Sequence, residues 1–89
     1  MRSFTQLSFW KAYKRLPARI RSQARDSFLL FQQNPNHPSL HFKPVSPSGP
    51  IYSVRVSISY RAVGIVEGGD VIWFWIGSHP DYERLLKGR

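Results

Sequence analysis

The fold is decided by residues 52–76, which read YSVRVSISYRAVGIVEGGDVIWFWI. Apolar residues alternate with polar ones in the first part: Tyr52, Val54, Val56 and Ile58 against Ser53, Arg55, Ser57 and Ser59. That period is typical of a strand with one buried and one open face. Two further strands, 61–66 and 71–76, flank Glu67-Gly-Gly-Asp70, a hairpin turn by residue type. The last strand is apolar on both faces, which predicts a central position in the sheet.

A short strand and a helix are expected at the start of the chain. Arg2–Thr5 is predicted to form the strand, and Ser8 suits the N-cap of the helix, which Pro17 ends. The apolar residues that recur at helical spacing are Phe9, Tyr13 and Leu16. The segment therefore resembles a short amphipathic helix that packs on the sheet.

A second helix is expected after this one, with Pro17 in its first turn. The apolar residues that form one stripe along it are Ile20, Ala24, Phe28 and Phe31. Arg21 and Arg25 flank the stripe four residues apart, and Leu29 points away from it. Leu29 is either a tolerated exposed leucine or part of a surface that a partner covers. Because the helices precede the strands, the predicted fold class is α+β.

The segments around the sheet contain turn-forming residues. Residues 34–39, Asn-Pro-Asn-His-Pro-Ser, end the second helix, and residues 46–50, Ser-Pro-Ser-Gly-Pro, form a loop. Between them, Leu40-His-Phe-Lys43 alternates like a strand. After the last strand, Ser78 suits the N-cap of a C-terminal helix, and Asp81 lies near its positive end.

Length and composition limit the possible classes of protein. The chain has 89 residues, 42% of them hydrophobic, and we expect one domain over residues 1–89. Without cysteine it has no disulfides, cysteine-bound zinc or thiolate catalysis. No apolar run reaches the roughly 18 residues of a membrane span, and the N-terminus lacks the apolar centre of a signal peptide. We therefore expect a cytoplasmic protein without membrane contact.

Positive charge is concentrated in the first half of the chain. The net charge is +8, and residues 1–45 contain eight cations and one anion, a net charge of +7. Such a field favours nucleic acid, an anionic membrane surface or an acidic protein partner, and charge alone does not rank these three. A role in solubility explains the net charge equally well.

Candidate site residues converge at one end of the predicted sheet. A hairpin symmetric about its two glycines places Arg61 opposite Ile76 and brings His79 back beside residues 58–61. Tyr82 follows His79 by three positions and shares its side of the helix. The position of Arg55 depends on the turn at residues 57–59, Ser-Ile-Ser. A three-residue turn places Arg55 directly opposite Arg61, and a two-residue turn places the two arginines on opposite faces of the sheet.

This group has the parts for phosphodiester cleavage without a metal or cofactor. Guanidinium groups, with Lys43 in reach, hold a phosphate, and a histidine or tyrosine moves protons. The carboxylates do not pair as a two-metal nuclease requires. Taken singly, each residue also has a purely structural explanation: His79 as a helix-entry residue, Tyr82 as packing, and the arginines as solvated strand residues.

The chain resembles the RelE/ParE superfamily of bacterial type II toxins. The resemblance lies in residues 40–43 (LHFK), 52–56 (YSVRV), 59–63 (SYRAV) and 73–82 (WFWIGSHPDY), and extends to 9–17 (FWKAYKRLP). It implies a two-helix hairpin packed on a small twisted, mostly antiparallel sheet with a short C-terminal helix. RelE-type members are ribosome-dependent endoribonucleases that cut mRNA through attack by the ribose 2′-hydroxyl, which forms a cyclic phosphate.

The resemblance also assigns roles to individual residues. Arg55 takes the place of a basic strand residue, Arg61 matches the arginine of a Tyr-Arg motif, and Tyr82 resembles the C-terminal tyrosine. His79 matches the histidine of members that end in Gly-Ser-His-x-x-Tyr. Ser53 stands where RelE has a lysine, and the arginine that follows RelE's last strand is absent.

These residues favour a metal-independent endoribonuclease with Arg61, His79, Tyr82 and Arg55 as its catalytic group. Lys43, Arg21 and Arg25 are the candidate RNA contacts, and Leu29 is the candidate partner contact. The expected partners are an acidic cognate antitoxin and mRNA on the ribosome, with the free toxin monomeric. Two alternatives stay open: a noncatalytic gyrase inhibitor, as in the ParE branch, and an inactive RNA-binding homologue.

Overall fold

The computed structural model describes residues 1–47 and 49–87 and contains three helices and five strands within them. The helices are α1 (Leu7–Lys14), α2 (Ala18–Gln33) and α3 (His79–Lys87). The strands are β1 (Arg2–Thr5), β2 (Lys43–Pro44), β3 (Ile51–Ser57), β4 (Tyr60–Glu67) and β5 (Asp70–Ser78). A single 3₁₀ turn, Pro38–Leu40, precedes β2. No helix in these ranges is both long and apolar enough to cross a bilayer.

The strands form one mixed sheet in the order β1-β5-β4-β3-β2. Strand β1 runs parallel to β5, and the other neighbours are antiparallel. Gly68 and Gly69 connect β4 to β5 with φ values of 58° and 85°, the two positive φ angles that a tight hairpin turn requires. Strand β5 has neighbours on both sides, β1 and β4, so it is an interior strand as predicted. The predicted α+β class and hairpin are confirmed.

The β4–β5 pairing contains one irregularity that shifts its register. Val63 pairs with Trp75 and Gly64 pairs with Trp73, which leaves Phe74 as an extra residue. Arg61 consequently lies opposite Gly77, and the predicted pairing with Ile76 is wrong by one residue. Gly64 allows the close packing here, because a Cβ atom at that position would lie 2.9 Å from both Trp73 and Val71.

The core lies between the helical hairpin and one face of the sheet. Helix α1 packs chiefly on β5, and α2 packs on β3. The buried side chains of this core are Leu16, Ile20, Phe31, Leu40, Val54, Ala62, Val71, Trp73 and Ile76. Phe31 meets both Trp73 and Phe42 edge to face, with ring centroids 5.4 and 4.9 Å apart. Aromatic packing thus stabilises this small core without disulfides.

The helix starts differ from the sequence prediction. Gln6 is the N-cap of α1, and Ser8, predicted to be the cap, instead donates its hydroxyl to the carbonyl of the bulged Phe74 at 2.7 Å. Pro17 is the N-cap of α2 rather than a member of its first turn. Phe28, assigned to the core stripe, is 40% exposed. Its position on α2 faces a gap between the two helices that the sheet does not fill.

The segment before β3 also differs from the prediction. Of residues 40–43 only Lys43 lies in a strand, because the 3₁₀ turn Pro38–Leu40 is followed by His41 in the left-handed region, with φ 47°. The predicted loop at 46–50 lies between β2 and β3, and its residue 48 is outside the described ranges. Ile58, predicted on the apolar face of a strand, is 77% exposed in the turn after β3.

Candidate functional site

Arg55 and Arg61 lie side by side on neighbouring strands. They are direct partners in the β3–β4 pairing, so their side chains project from the same face. The register that the sequence left open is decided by a bulge, since Ser57 pairs with Tyr60 and Val56 is the extra residue. Val54 and Ala62, the neighbours of the two arginines, point into the core. The arginines therefore project from the face opposite the helical hairpin.

We call this surface the site face. Its residues are Lys43, Ser53, Arg55, Arg61, Val63, Trp75 and Gly77, which direct pairing and alternation place on one side of the sheet. The indole of Trp75 covers Gly77, because a Cβ atom at position 77 would lie 2.6 Å from its Cζ2 atom. A glycine opposite Arg61 thus lets an aromatic ring lie beside the guanidinium row.

Arg61 has a structural role as well as a place in the cluster. Its Nη1 donates to the carbonyls of Ser57 at 2.8 Å, Tyr60 at 2.9 Å and, more weakly, Ile58 at 3.4 Å. The guanidinium therefore closes the turn between β3 and β4. Partial burial lowers the pKa of Arg61 and the like charge of Arg55 lowers it further, whereas Tyr82 acts in the opposite direction. The effects of Arg55 and Tyr82 on this pKa indicate that both residues lie close enough to Arg61 to interact electrostatically.

Arg55 contacts a residue that the sequence did not assign to the site. Its Nη1 lies 3.3 Å from Nε2 of His41, which follows the 3₁₀ turn. No pattern in the sequence indicated this contact, because the left-handed conformation of His41 depends on how the segment folds onto β3.

His79 and Tyr82 lie at the start of α3, next to the same turn. Ser78 accepts a hydrogen bond from the Asp81 amide at 3.3 Å, which confirms it as the N-cap. The His79 amide donates to the Ser59 carbonyl at 2.7 Å, as predicted for a chain that returns beside residues 58–61. The rings of His79 and Tyr82 have centroids 5.8 Å apart. Both rings consequently lie near the turn that Arg61 closes.

Glu83 is a further member of this group that sequence reasoning missed. Its Oε1 lies 3.4 Å from Nδ1 of His79, one helical turn away. The i, i+4 spacing of a histidine and a glutamate is the signal that could have indicated the pair. A carboxylate at Nδ1 orients the ring and leaves Nε2 available for another partner.

The remaining predicted cations lie in different places. Lys43 is exposed and pairs with Ser53, so it extends the site face by one strand. Arg21 and Arg25 lie on α2, on the other side of the sheet. Arg21 donates to the Leu16 carbonyl at 2.6 Å, and Arg25 donates to the Tyr13 hydroxyl at 2.8 Å. The structure therefore separates these two arginines from Arg55 and Arg61.

A second surface of interest lies between the helices. We call it the apolar groove; it has a volume of about 590 Å³, and its lining includes Phe9, Trp10, Tyr13, Arg25, Phe28 and Val56. Trp10 and Phe28 are 44% and 40% exposed. Leu29, at 56%, is exposed on α2 but does not line the groove. A large apolar surface of this kind on a small protein is typical of a protein-binding site.

Metal ligands are not gathered at either surface. Within residues 1–47 and 49–87, no group of three or more His, Asp or Glu side chains could hold a metal ion. The site face and the start of α3 offer guanidinium groups, which can bind phosphate, and imidazole and phenol groups, which can transfer protons.

Solved structures of small toxins have the same fold. The toxin of the RelB–RelE antitoxin–toxin complex from Methanococcus jannaschii superposes with a TM-score of 0.74 at 18% identity, covering 92% of this chain and 96% of that one. YafQ from E. coli superposes with a TM-score of 0.72 at 14% identity, covering 92% of this chain and 98% of that one. The YoeB/ParE toxin from Agrobacterium tumefaciens superposes with a TM-score of 0.68 at 21% identity, covering 89% of this chain and 99% of that one. No curated protein matches the chain by sequence.

The helical hairpin on a mixed sheet defines the fold class of the RelE, YoeB and YafQ toxins. Residues 18–84 match the model of the ParE-like toxin domain, which covers α2, all strands but β1, and most of α3. The chain belongs to this family of toxin domains, within the RelE/ParE superfamily.

Proposed function

We propose that this toxin is a ribosome-dependent endoribonuclease that cleaves translated mRNA in the cytoplasm. The observation that supports this best is the direct pairing of Arg55 with Arg61, with Tyr82 and His79 at the end of the same row. Two adjacent guanidinium groups bind a phosphate and stabilise the charge that develops on it. A protein that only contacts another protein has no need for such a row beside an imidazole and a phenol.

The proposed reaction is an internal transfer within the RNA chain. The ribose 2′-hydroxyl loses its proton to a base, its oxygen bonds to the adjacent phosphorus, and the bond to the 5′-oxygen breaks. That oxygen takes a proton from an acid, which leaves a 2′,3′-cyclic phosphate and a 5′-hydroxyl. His79 and Tyr82 are the candidates for proton transfer, and Glu83 holds the His79 ring. The residues present supply each step without a metal.

The geometry that cleavage requires accounts for the proposed dependence on the ribosome. Cleavage requires the 2′-oxygen, the phosphorus and the leaving oxygen to be held in line. A small sheet surface binds the phosphate but does not constrain the ribose by itself. We infer that the ribosome fixes the mRNA and that Lys43, with the row of arginines, binds the backbone beside it.

We also propose that the cognate antitoxin binds the helical side of the protein. The M. jannaschii structure is a complex of toxin and antitoxin. Here, the apolar groove offers pockets for apolar side chains, and Arg25 lies in its lining. Residues 1–45 have a net charge of +7, so an acidic segment would be steered to this side and held by apolar anchors. The fitting occupant is therefore an acidic, amphipathic antitoxin segment.

A purified, antitoxin-free toxin tests the proposed activity. We expect clear cleavage when it is added to a reconstituted translation reaction, with new mRNA 5′ ends mapped by primer extension, and negligible cleavage of the same RNA without ribosomes. His79→Ala should lose cleavage while its circular dichroism spectrum stays that of the parent protein.

Other outcomes would lead to other functions. Equal cutting of naked and translated RNA would contradict the ribosome dependence. No cutting of either, together with inhibition of gyrase supercoiling, would assign the protein to the gyrase inhibitors of the ParE branch. If the protein binds RNA in a salt-sensitive way without cutting it, and replacement of His79 or Tyr82 does not change the binding, the protein is an inactive RNA-binding homologue.

A further inference from the structure

His41 is a feature near the site face that the proposed reaction leaves without a role. Among residues 1–47 and 49–87 it is the only residue other than glycine with a positive φ, at 47°. A side chain in this left-handed region crowds the backbone, although histidine is found there more often than most residues. Residues held in this conformation cluster at functional sites. Glycine would adopt this φ angle at a lower conformational energy, so the backbone conformation does not explain why a histidine is present.

The contact with Arg55 positions one nitrogen of this imidazole. Arg55 Nη1 lies 3.3 Å from His41 Nε2, and a guanidinium group can only donate hydrogen bonds. In this contact Nε2 is therefore the acceptor. His41 is also exposed to solvent. The contact thus presents an accessible nitrogen lone pair directly beside a proposed phosphate-binding group.

The order of the strands places His41 and His79 at opposite ends of one row. Across the sheet, Gly77 on β5 is followed by Arg61 on β4 and Arg55 on β3, and His41 lies beyond Arg55. His79 follows Gly77 by two residues, at the other end. In an in-line displacement the attacking and leaving oxygens lie on opposite sides of the phosphorus. Two groups that transfer protons are consequently needed on opposite sides of the bound phosphate.

We propose that His41 is a catalytic residue, the general base that removes the proton of the ribose 2′-hydroxyl. This inference rests on the proposed ribonuclease function and adds to it the second proton-transfer group. A phosphate oxygen is a stronger acceptor for Arg55 than an imidazole, so binding of RNA frees Nε2 of His41. Nε2 takes the proton, the 2′-oxygen bonds to phosphorus, and the departing 5′-oxygen receives a proton from the His79–Tyr82 end.

Replacement of His41 by glycine separates a catalytic role from a structural one. Glycine adopts a positive φ freely, so His41→Gly should have a melting temperature equal to or above that of the parent protein. Cleavage of mRNA on the ribosome should nevertheless fall by about 100-fold, since a general base contributes ~10²–10⁴ in rate. Added free imidazole should restore part of the cleavage, because it supplies the missing base at the vacated position.

Two further variants serve as controls. His41→Asn also tolerates the left-handed region and can accept from Arg55, but it cannot take a proton, so we expect it to be as defective as His41→Gly. His37→Asn removes a nearby imidazole and keeps an acceptor for the Ser39 amide, which His37 caps at 3.2 Å. It should cleave like the parent protein and should not respond to imidazole.

The outcomes distinguish this inference from the proposed function. If the parent protein cleaves mRNA and His41→Gly or His41→Asn cleaves equally well, His41 is not the base, and the proposed function stands. A defect in His41→Gly that imidazole does not relieve, with an active His41→Asn, would reduce His41 to positioning Arg55 and overturn the assignment. A parent protein that cleaves no mRNA on ribosomes would remove both proposals.

Discussion

At the residue scale, the two arginines of the site face have different roles. Arg61 binds three carbonyls of the turn between β3 and β4, whereas the contact of Arg55 within the described ranges is with the exposed His41. The structure indicates that Arg61 contributes to stability as well, and only Arg55 provides a clean test of phosphate binding.

Arg55→Ala and Arg61→Ala should therefore differ in stability but not in activity. We expect both to lose cleavage of translated mRNA by 100-fold or more, because each removes a group that stabilises the phosphate charge. Arg61→Ala should in addition lower the free energy of unfolding by about 2 kcal/mol, since hydrogen bonds to charged groups contribute ~1.5–3 kcal/mol. Urea unfolding of both variants measures this difference. Equal stability of the two would contradict the structural role of Arg61.

The contact between His79 and Glu83 gives a second prediction for single residues. Removal of the carboxylate by Glu83→Gln should reduce cleavage by about 10-fold, because the imidazole loses the group that orients it. Glu67→Gln, at the distant hairpin turn, is the matched control, since it makes the same change of charge away from the site. Identical rates for the two variants would exclude Glu83 from the reaction.

At the element scale, the start of α3 is held by Asp81. Hydrogen bonding from Ser78, and then from Arg84, lowers the pKa of Asp81. The folded state is therefore stabilised while the carboxylate is ionised, and this stabilisation is lost as the pH falls through the lowered pKa. We expect α3 to lose helical circular dichroism below about pH 4, where an ordinary aspartate takes up its proton.

Asp81→Asn is the control for this acid dependence. It should have slightly less helix than the parent protein at neutral pH and should show no corresponding loss between neutral pH and about pH 3, because its side chain does not titrate. Parallel acid titrations of the two proteins would refute the assignment to Asp81. Because His79 and Tyr82 lie on this first turn, acid should also reduce cleavage by disordering them.

At the scale of the whole molecule, the sheet separates the two candidate surfaces. The arginine row and the start of α3 lie on the site face, and the apolar groove lies between the helices on the other face. The charge of residues 1–45 belongs largely to the helical side. An antitoxin bound in the groove would therefore leave the site face open unless a further segment of it reached round the sheet.

Two neighbouring residues on α2 test where the antitoxin binds. Phe28 lines the groove and Leu29 is exposed outside it. If the groove is the interface, Phe28→Asp should weaken antitoxin binding at least about 100-fold, as expected for a buried aromatic anchor, and Leu29→Asp should change it little. Isothermal titration calorimetry on folded variants measures both. Loss of affinity in Leu29→Asp alone would instead place the antitoxin on the outer face of α2, where Leu29 was first proposed as the anchor.

Much of the architecture was predictable because it depends on local patterns. Alternation predicted β3, the Gly68-Gly69 pair predicted the hairpin, and Ser78 predicted the start of α3. The errors occur where the chain meets other segments. Ser8 binds the carbonyl of Phe74 rather than capping its own helix, and Phe28 faces a gap that exists only because α1 and α2 rest on different strands.

The sequence by itself determined the element order, the family resemblance and the residue types of the site, because helical and strand periods, turn residues and short motifs act over a few neighbouring positions. The tertiary structure alone decided which of these residues meet. Bulges at Val56 and Phe74 place Arg55 opposite Arg61 and Arg61 opposite Gly77, and the fold of residues 38–44 brings His41 to Arg55. The physical reason is that register and bulges depend on packing between distant segments, which no local pattern specifies.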